Sequence, residues 1–328
     1  MADTNPTRNL ALDLVRVTEA AALAAGRQMG RGDKIAADQA AVQAMRLVLN
    51  SIEMDAVVVI GEGEKDQAPM LYNGEHLGTG TGPLLDIAVD PIDGTRPVAN
   101  GQWNAICTVA LAPRGSMFDP GPALYMQKIA VGPEAGGAID LEAPVEDNLR
   151  KIARAKGEQV EDLTVVILDR PRHAELIGEV RRCGARIRLI PDGDVAGALM
   201  TCLPETGIDV LMGTGGTPEG VLAACALRCL GGNIQGRLAP RNADEERRGR
   251  KMGYDFARVL SLDELVASND VFFAATGVTS GDLLKGVDYF SHGATTDSIV
   301  MRSLTGTVRR VTATHRLDKL ARISSIAY

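Results

Sequence analysis

The sequence predicts a mixed α/β to α+β fold in which layered sheets and helices form two parts. Three apolar runs in the second half, at 163–168, 185–190 and 208–212, each end in a polar or glycine-rich loop, and helical segments lie between them. That alternation is typical of a parallel sheet. In the first half, the apolar runs 56–60 and 84–90 end in acidic residues instead. The 328 residues are enough for one large domain or two of moderate size.

Two helices are predicted at the beginning of the first half. Apolar side chains recur with helical spacing between residues 8 and 29, and the glycines and the aspartate at 30–33 break the pattern. A second helix is predicted from 34 to about 52, on which Lys34 and Asp38 lie one turn apart. Spacing alone favours an ordinary surface pair for these two side chains.

The stretch 84–95 is the most informative part of the sequence. It begins as an apolar run, which predicts a strand buried on both faces. Pro91 lacks a backbone donor, so the strand is predicted to stop there. Gly94 permits a tight turn, which would hold Asp90 and Asp93 near each other with Thr95 beside them. Carboxylates in such an arrangement suit Mg²⁺ or Mn²⁺.

A second strand, at 56–60, also ends in acidic residues, Glu62 and Glu64. The glycines at 61 and 63 let the backbone bend and direct these carboxylates inward. Two strands that each end in clustered acids are less expected by chance than either alone. The alternatives are a solvated loop after the first strand and a simple type I turn at 90–95.

The loops at 169–173, 191–194 and 213–220 follow the three strands of the second half. Because ligands of parallel sheets gather at the carboxyl ends of the strands, these loops are predicted to converge. The third loop is neither a dinucleotide fingerprint nor a P-loop, since Pro218 replaces the last glycine and no Gly-Lys-Ser/Thr follows. Pro218 fits the first turn of a helix, where free N–H groups can hold an anion. Glu219 could simply complement the helix dipole there.

Composition excludes several classes of protein. The net charge is −7 and no dense block of lysine and arginine occurs, which disfavours nucleic-acid and anionic-membrane partners. No run approaches the ~20 apolar residues of a membrane span, and the N-terminus lacks a signal-peptide pattern. Cys225 and Cys229 are predicted to be free thiols. A cytoplasmic location is expected. The charged segment 241–252 is predicted to be a solvated helical face without chemistry.

The Asp-Pro-x-Asp-Gly-Thr pattern at 90–95 resembles the signature of the metal-dependent, lithium-sensitive phosphatases, which include inositol monophosphatases and fructose-1,6-bisphosphatases. Residues 60–64 and 68–72 look like class II fructose-1,6-bisphosphatase, and matching segments run from about Arg8 to about His315. The resemblance implies a sugar-phosphatase fold with the active site in a cleft between two parts. We expect an N-terminal metal-binding α+β domain at 1–145 and a C-terminal α/β substrate domain at 146–328. A final hairpin, 295–314, could pack on either.

The same resemblance implies a set of site residues and two divalent ions, Mg²⁺ or Mn²⁺. The implied metal ligands are Asp38, Glu62, Asp90, Asp93 and Glu219. The implied catalytic residues are Thr95, Lys34 and Asp66. The implied substrate-binding residues are Asp93, Gly94, Thr95, Tyr125, Arg170, Pro171, Arg172, Asp192, Gly193, Asp194 and Gly216. Some class II sequences carry glutamate at the position of Asp93, and the shorter side chain could alter metal preference.

The implied activity is that of a phosphoric monoester hydrolase of gluconeogenesis, which converts fructose 1,6-bisphosphate to fructose 6-phosphate and phosphate. The alternatives are a dual fructose/sedoheptulose bisphosphatase and, less expected, an inositol monophosphatase, which needs no second anion site such as Arg170 and Arg172 offer. A catalytically silent sugar-phosphate sensor is disfavoured because every candidate acid is present. The resemblance also implies a homo-oligomer, either a dimer or a tetramer.

Overall fold

The computed structural model describes residues 9–63, 70–121 and 123–326, and these residues form two β-sheets flanked by helices. The helices are α1 Ala11–Gly26, α2 Lys34–Leu49, α3 Thr95–Asn100, α4 Val145–Lys156, α5 Ala174–Arg182, α6 Asp194–Met200, α7 Thr217–Leu230, α8 Ala243–Lys251, α9 Leu262–Leu265 and α10 Leu317–Leu320. The strands are β1 Asp55–Ile60, β2 His76–Leu77, β3 Leu84–Asp93, β4 Ile106–Pro113, β5 Tyr125–Val131, β6 Thr164–Leu168, β7 Arg186–Ile190, β8 Val210–Gly216, β9 Asn233–Leu238, β10 Phe272–Gly277, β11 Asp288–Phe290, β12 Gly293–Arg302 and β13 Thr307–Arg316.

The first sheet has eight strands in the order β11-β12-β10-β4-β3-β1-β2, and β13 pairs with β12 along its whole length. The predicted hairpin is therefore confirmed, and it belongs to this sheet. The second sheet has five strands in the order β7-β6-β8-β5-β9. Within it, β6 runs parallel to β7 and to β8, as predicted from the alternating pattern.

The elements stack in five layers, which confirms the expected mixed α/β architecture. Helices α1 and α2 share a buried apolar cluster with the outer face of the first sheet. Helices α6 and α7 lie between the sheets and contribute to a cluster that includes side chains of both. Helices α4 and α5 cover the far face of the second sheet. The inner helical layer begins at Asp194 and Thr217, so its N-termini carry predicted site residues.

The prediction that the strand at 84–90 stops at Pro91 is wrong. β3 continues to Asp93, with a register shift against β4 between Asp90 and Asp93. Pairing with the other neighbour, β1, ends at Ala88. Because the ladder is interrupted at this bulge, a residue without an N–H donor fits there at no cost in hydrogen bonds.

The sheets do not divide the chain at residue 145. Strands of the second sheet come from 125–238, whereas those of the first come from 55–113 and 272–316. The helical segment at 145 begins within the second sheet's part of the chain. The division into domains 1–145 and 146–328 stays a prediction.

All five cysteines are free thiols, as predicted for Cys225 and Cys229. Both of these residues are buried in α7. None of the described helices combines the length and the apolar character that a membrane span requires.

Candidate active site

The predicted metal ligands lie at or near the ends of two helices, α2 and α7, and of two strands, β1 and β3. Asp38 is in the second turn of α2, and Glu62 follows β1. Asp90 and Asp93 lie on either side of the bulge in β3. Glu219 is in the first turn of α7. The structure thus brings four elements from both halves of the chain to one place.

The carboxylates of this cluster perturb one another. Burial and the charges of Asp38 and Glu219 raise the pKa of Glu62 to about 8. Burial, together with the charges of Asp93, Glu219, Glu62 and Asp38, raises the pKa of Asp90 well above its ordinary value. Such mutual shifts require that the charges lie close together in a poorly solvated site. All five predicted ligands therefore belong to one electrostatic cluster.

Two of these carboxylates already accept hydrogen bonds within the protein. The Asp93 Oδ2 atom accepts hydrogen bonds from the N–H groups of Val195 (3.2 Å) and Ala196 (3.4 Å) in α6. The Asp90 Oδ1 atom accepts one from the Ile92 N–H at 3.0 Å. As they stand, the described His, Cys, Asp and Glu side chains form no group of three that could hold a metal ion. The ligand set therefore stays a prediction.

The chemistry of the cluster nevertheless fits divalent cations. Within the described residues, the Oε2 atom of Glu219 is buried and has no hydrogen-bond partner. Burial and the charge of Asp194 raise the pKa of Glu219 to about 7, although the Lys128 ammonium opposes them. An unpartnered buried carboxylate oxygen is costly unless a cation or a donor reaches it. Oxygen donors alone are also what Mg²⁺ and Mn²⁺ prefer.

The turn after β3 places Thr95 beside the acids. Gly94 has φ 109° and precedes α3 as its N-cap, a conformation that a residue with a Cβ adopts only with strain. Thr95 is the first residue of α3 and is half-buried. The predicted tight turn is thus present, and Thr95 begins the helix that follows it.

The turn between β8 and α7 depends on a close approach. A Cβ atom on Gly216 would lie 1.7 Å from the Oε2 atom and 2.4 Å from the Cδ atom of Glu219. The carboxylate therefore folds back over the glycine, and no larger residue fits while it does so. The backbone of Gly216 also pairs with Tyr125 of β5, so this turn joins the acid cluster to the predicted substrate residues.

The loops after β6 and β7 converge with the end of β8, but the predicted loop at 213–220 is wrong, because β8 continues to Gly216 and α7 begins at Thr217. Arg170 donates from Nη2 to Asp192 Oδ1 at 3.0 Å. Arg172 donates from Nε and Nη2 to the Thr214 carbonyl oxygen at 2.9 and 2.6 Å. The Cζ atom of Arg172 also lies 5.2 Å from the ring centroid of Tyr125. These contacts form a cationic and aromatic site at one edge of the second sheet.

His173 ties two of these loops together. It is buried, with Nδ1 2.7 Å from the Leu168 carbonyl oxygen, and its Nε2 accepts the Thr214 N–H at 2.8 Å. Those bonds assign the proton to Nδ1. Burial lowers the pKa of His173, although the bond to Leu168 opposes the shift. The imidazole is thus neutral, and its two hydrogen bonds link the end of β6 to β8.

The remaining predicted residues lie at the edges of the site. Lys34 is the first residue of α2 and is exposed. Pro171 opens a short 3₁₀ turn and is exposed, and Gly193 is the N-cap of α6. Asp66 lies outside the described residues, as does Glu64.

Sequence reasoning missed Lys128. It is 2% exposed in β5, and its Nζ atom donates to Asp194 Oδ2 at 2.5 Å and to the Gly216 carbonyl oxygen at 2.9 Å. A lysine followed directly by the apolar run 129–131 is the signal that could have indicated a buried, paired ammonium. Arg96, one residue after Thr95, was also missed, and its charge lowers the pKa of Asp192 against the effect of burial.

A layered α/β fold with an acid cluster between its sheets and an arginine–tyrosine site beside it defines a phosphoric monoester hydrolase of the sugar-phosphatase type. Comparison with known proteins makes the assignment specific. The chain belongs to the bacterial fructose-1,6-bisphosphatases described as glpX-encoded, whose family model matches residues 8–315. This is a family of metal-dependent phosphatases.

Two curated relatives are similar over nearly their whole length. The chain is 49% identical to fructose-1,6-bisphosphatase class 2 of Haemophilus influenzae, with 97% of this chain and 99% of the relative covered. It is 47% identical to fructose-1,6-bisphosphatase 1 class 2 of Escherichia coli K12, with 95% and 96% covered. The resemblance noted from the sequence is thereby confirmed.

Proposed function

We propose that this protein hydrolyses the 1-phosphate of fructose 1,6-bisphosphate and releases fructose 6-phosphate and phosphate. The observation that carries the proposal is the cluster of five carboxylates, in which the charges of four raise the pKa of the fifth, Asp90, beside an arginine–tyrosine site. A substrate with two phosphates needs both features, because one phosphate reacts and the other is only held. Membership of the family and the two relatives' names support the same substrate.

Asp38, Glu62, Asp90, Asp93 and Glu219 would hold two divalent ions, which we propose to be Mg²⁺ or Mn²⁺. When bound, such ions neutralise the phosphoryl oxygens and stabilise the leaving oxygen. The unpartnered Oε2 atom of Glu219 supports its inclusion in this set.

Thr95 orients the attacking water in this proposal, assisted by Lys34 and Asp66. A threonine hydroxyl has no lowered pKa of its own, so a neighbouring base must take the proton. A carboxylate such as Glu62 or Glu64 would take that proton. Direct attack of the Thr95 oxygen on phosphorus is the competing mechanism.

Arg170, Arg172 and Tyr125 would hold the non-reacting phosphate. Guanidinium groups bind phosphate through paired N–H donors, and a tyrosine hydroxyl adds another donor. Asp192 and Asp194 can accept hydrogen bonds from sugar hydroxyls. The Oδ2 atom of Asp194 already accepts from Lys128, so its other oxygen is the one available to the sugar.

A phosphate-release assay on a panel of sugar phosphates tests the proposal. The panel contains fructose 1,6-bisphosphate, sedoheptulose 1,7-bisphosphate, fructose 1-phosphate and inositol 1-phosphate, each with Mg²⁺, Mn²⁺ or EDTA. We expect turnover of fructose 1,6-bisphosphate that is highest in the panel and is abolished by EDTA. Full turnover in EDTA would exclude the metal-dependent mechanism, and a preference for inositol 1-phosphate would exclude the substrate.

Asp90→Asn is the matching variant. It keeps the side-chain shape and the oxygen that accepts the Ile92 N–H, but it removes one charge from the cluster. We expect loss of most activity and an unchanged circular dichroism spectrum.

We further propose that the protein acts in gluconeogenesis in the cytoplasm, as a dimer or tetramer.

A further inference from the structure

The ring of Tyr125 lies beside two arginine side chains. The Cζ atom of Arg172 is 5.2 Å from the ring centroid, and that of Arg241 is 5.8 Å from it. Both distances are within the ~6 Å range of cation–π contacts. The first arginine was predicted from the sequence as a site residue, whereas the second begins the segment that was assigned no chemistry.

Arg241 is held in place through its side chain and its backbone. The side chain of Glu245 is 1% exposed, and its Oε2 atom accepts from the Arg241 backbone N–H at 3.0 Å and from Nε at 3.1 Å. Its Oε1 atom accepts from the Leu124 N–H at 3.0 Å. The Ala239 N–H donates to the Tyr125 carbonyl oxygen at 2.8 Å. These bonds fix the position of the guanidinium relative to the ring.

The buried carboxylate that holds Arg241 stays ionised. Burial raises the pKa of Glu245, but the bonds from the Leu124 and Arg241 N–H groups outweigh it, so the pKa is below its ordinary value. A permanently charged acceptor makes a charge-assisted bond, which is stronger than a neutral one. Helix α8, which carries Glu245, is therefore joined to the start of β5 and to Tyr125.

The two arginines keep binding capacity for an anion. The bond to Glu245 engages Nε of Arg241, and the terminal Nη nitrogens carry the other donors of the guanidinium. Its side chain is 51% exposed, so a ligand can reach it. Arg172 donates to the neutral carbonyl oxygen of Thr214, and that bond leaves its positive charge in place.

Arg170 differs from this pair. Its Nη2 atom is 3.0 Å from Asp192 Oδ1, and its side chain is only 18% exposed. Arg241 also pairs with a carboxylate, Glu245, but its side chain is 51% exposed and its Cζ atom lies 5.8 Å from the ring centroid of Tyr125. Arg241 is therefore the more accessible second cation for a phosphate on Tyr125.

We propose that Arg241 binds the non-reacting phosphate of the substrate together with Arg172 and Tyr125, and that Glu245 positions Arg241 for this contact. The identity of the ligand rests on the proposed function. The inference adds a residue after β9 to the phosphate site and assigns a positioning role to helix α8.

Arg241→Gln tests the contact, and Arg247→Gln is the matched control, since Arg247 lies on α8 and pairs with exposed Asp244. Fructose 6-phosphate carries only the non-reacting phosphate, so its inhibition constant reports on this site alone. We expect Arg241→Gln to raise that constant and the KM for fructose 1,6-bisphosphate about tenfold, as expected for a lost charge-assisted bond, about 1.4 kcal/mol. The change in kcat should stay within about threefold, because the phosphate is held equally in ground and transition states. The control should leave both constants unchanged.

Glu245→Gln distinguishes positioning from general structure. It keeps the shape but not the charge, so we expect a rise in both constants that is smaller than that of Arg241→Gln, with kcat retained. A fall in kcat with unchanged constants would indicate a merely structural role. Melting curves establish that each variant folds. If Arg241→Gln does not fold, Arg241→Lys, which keeps the charge, replaces it.

Unchanged inhibition by fructose 6-phosphate in Arg241→Gln and in Arg241→Lys, with normal inhibition of the wild type, would overturn the inference. Failure of the proposed function has a different signature, namely a wild-type protein that does not hydrolyse fructose 1,6-bisphosphate. In that event calorimetric titration of both proteins with fructose 6-phosphate still tests the site. Binding to the wild type that Arg241→Gln weakens about tenfold would support it, and equal binding would contradict it.

Discussion

The hydroxyl of Thr95 is the smallest group on which the proposed chemistry depends. It begins α3 directly after the turn that holds Asp93. We expect Thr95→Ala to lower kcat for fructose 1,6-bisphosphate roughly 10²-fold or more, which is the scale of positioned proton transfer. KM should change little, because the hydroxyl acts on the water and not on the sugar.

Thr95→Ser is the control for that measurement, since it keeps the hydroxyl and should keep substantial activity. A hydroxyl that merely caps α3 would contribute only ~1 kcal/mol of stability. Normal kcat in Thr95→Ala would therefore remove Thr95 from the mechanism. Isolation of a phosphothreonine would favour direct attack over water activation.

A second residue-scale prediction concerns Glu19, which is remote from the acid cluster. Its Oε1 atom accepts from Thr296 Oγ1 at 3.3 Å, and that oxygen is 2.8 Å from His315 Nε2. Burial raises the pKa of Glu19 to about 7, against the opposing effects of Thr296 and the Arg16 charge. Between pH ~4.5 and ~7 the folded state keeps a proton that the unfolded state loses, so stability falls as pH rises.

Glu19→Gln removes this titration while it keeps an acceptor for Thr296. We expect the variant to be more stable than the wild type at pH 8, by about 1–3 kcal/mol, and the two to differ little at pH 4.5. Burial lowers the pKa of His315, so its own contribution to stability rises with pH and opposes that of Glu19. Melting temperatures across this range provide the measurement, with exposed Glu142→Gln as control. Equal pH profiles for wild type and Glu19→Gln would contradict the raised pKa of Glu19.

At this scale the sequence predicted the acids better than the cations. Asp90 and Asp93 stand at the end of an apolar run, and their position along the strand is enough to indicate that they share a site. Lys128 and Arg241 give no comparable local signal, because the groups that associate them with the site, Asp194 and Tyr125, are 66 and 116 residues away along the chain. Only tertiary structure shows that one ammonium is buried beside Asp194 and that one guanidinium lies on an aromatic ring.

Among the elements, the turn between β8 and α7 gives the sharpest test. Gly216→Ala places a Cβ atom where the Glu219 carboxylate now lies, so the carboxylate must move away. We expect kcat to fall roughly 10- to 100-fold, since small displacements of reacting groups have effects of that size. Gly137→Ala is the control, because no heavy atom lies within 4 Å of its Cβ position. Normal kcat in Gly216→Ala would show that the position of Glu219 is not critical.

The elements themselves were largely predictable, because apolar runs and helical periodicity are local signals. β5 is among the strands that were not predicted, since Gln127 and Lys128 interrupt its apolar pattern and its pairing depends on strands 79 or more residues later in the chain. The extension of β3 past Pro91 depends likewise on a bulge against β4, which no local rule specifies.

For the whole molecule, the acid cluster predicts a link between metal and stability. Five carboxylates in one poorly solvated site repel one another, and a cation that binds only the folded state stabilises it by mass action. We expect Mg²⁺ or Mn²⁺ to raise the melting temperature of EDTA-treated protein, by an amount that grows with metal concentration. Asp90→Asn should reduce this shift, and a melting temperature that does not respond to either metal would contradict the assignment.

The order of strands in the first sheet has a consequence for biosynthesis. A nascent chain that has emerged as far as α8 contains every strand of the second sheet, but only β1–β4 of the first. The edge of β4 that β10 later covers is then open, and α1 lacks the strands β10 and β12 on which it packs. Such an unpaired edge is prone to intermolecular association. Helix α1 is therefore synthesised well before β10 and β12, which lie in the last fifth of the chain, and it can pack fully only after they have emerged.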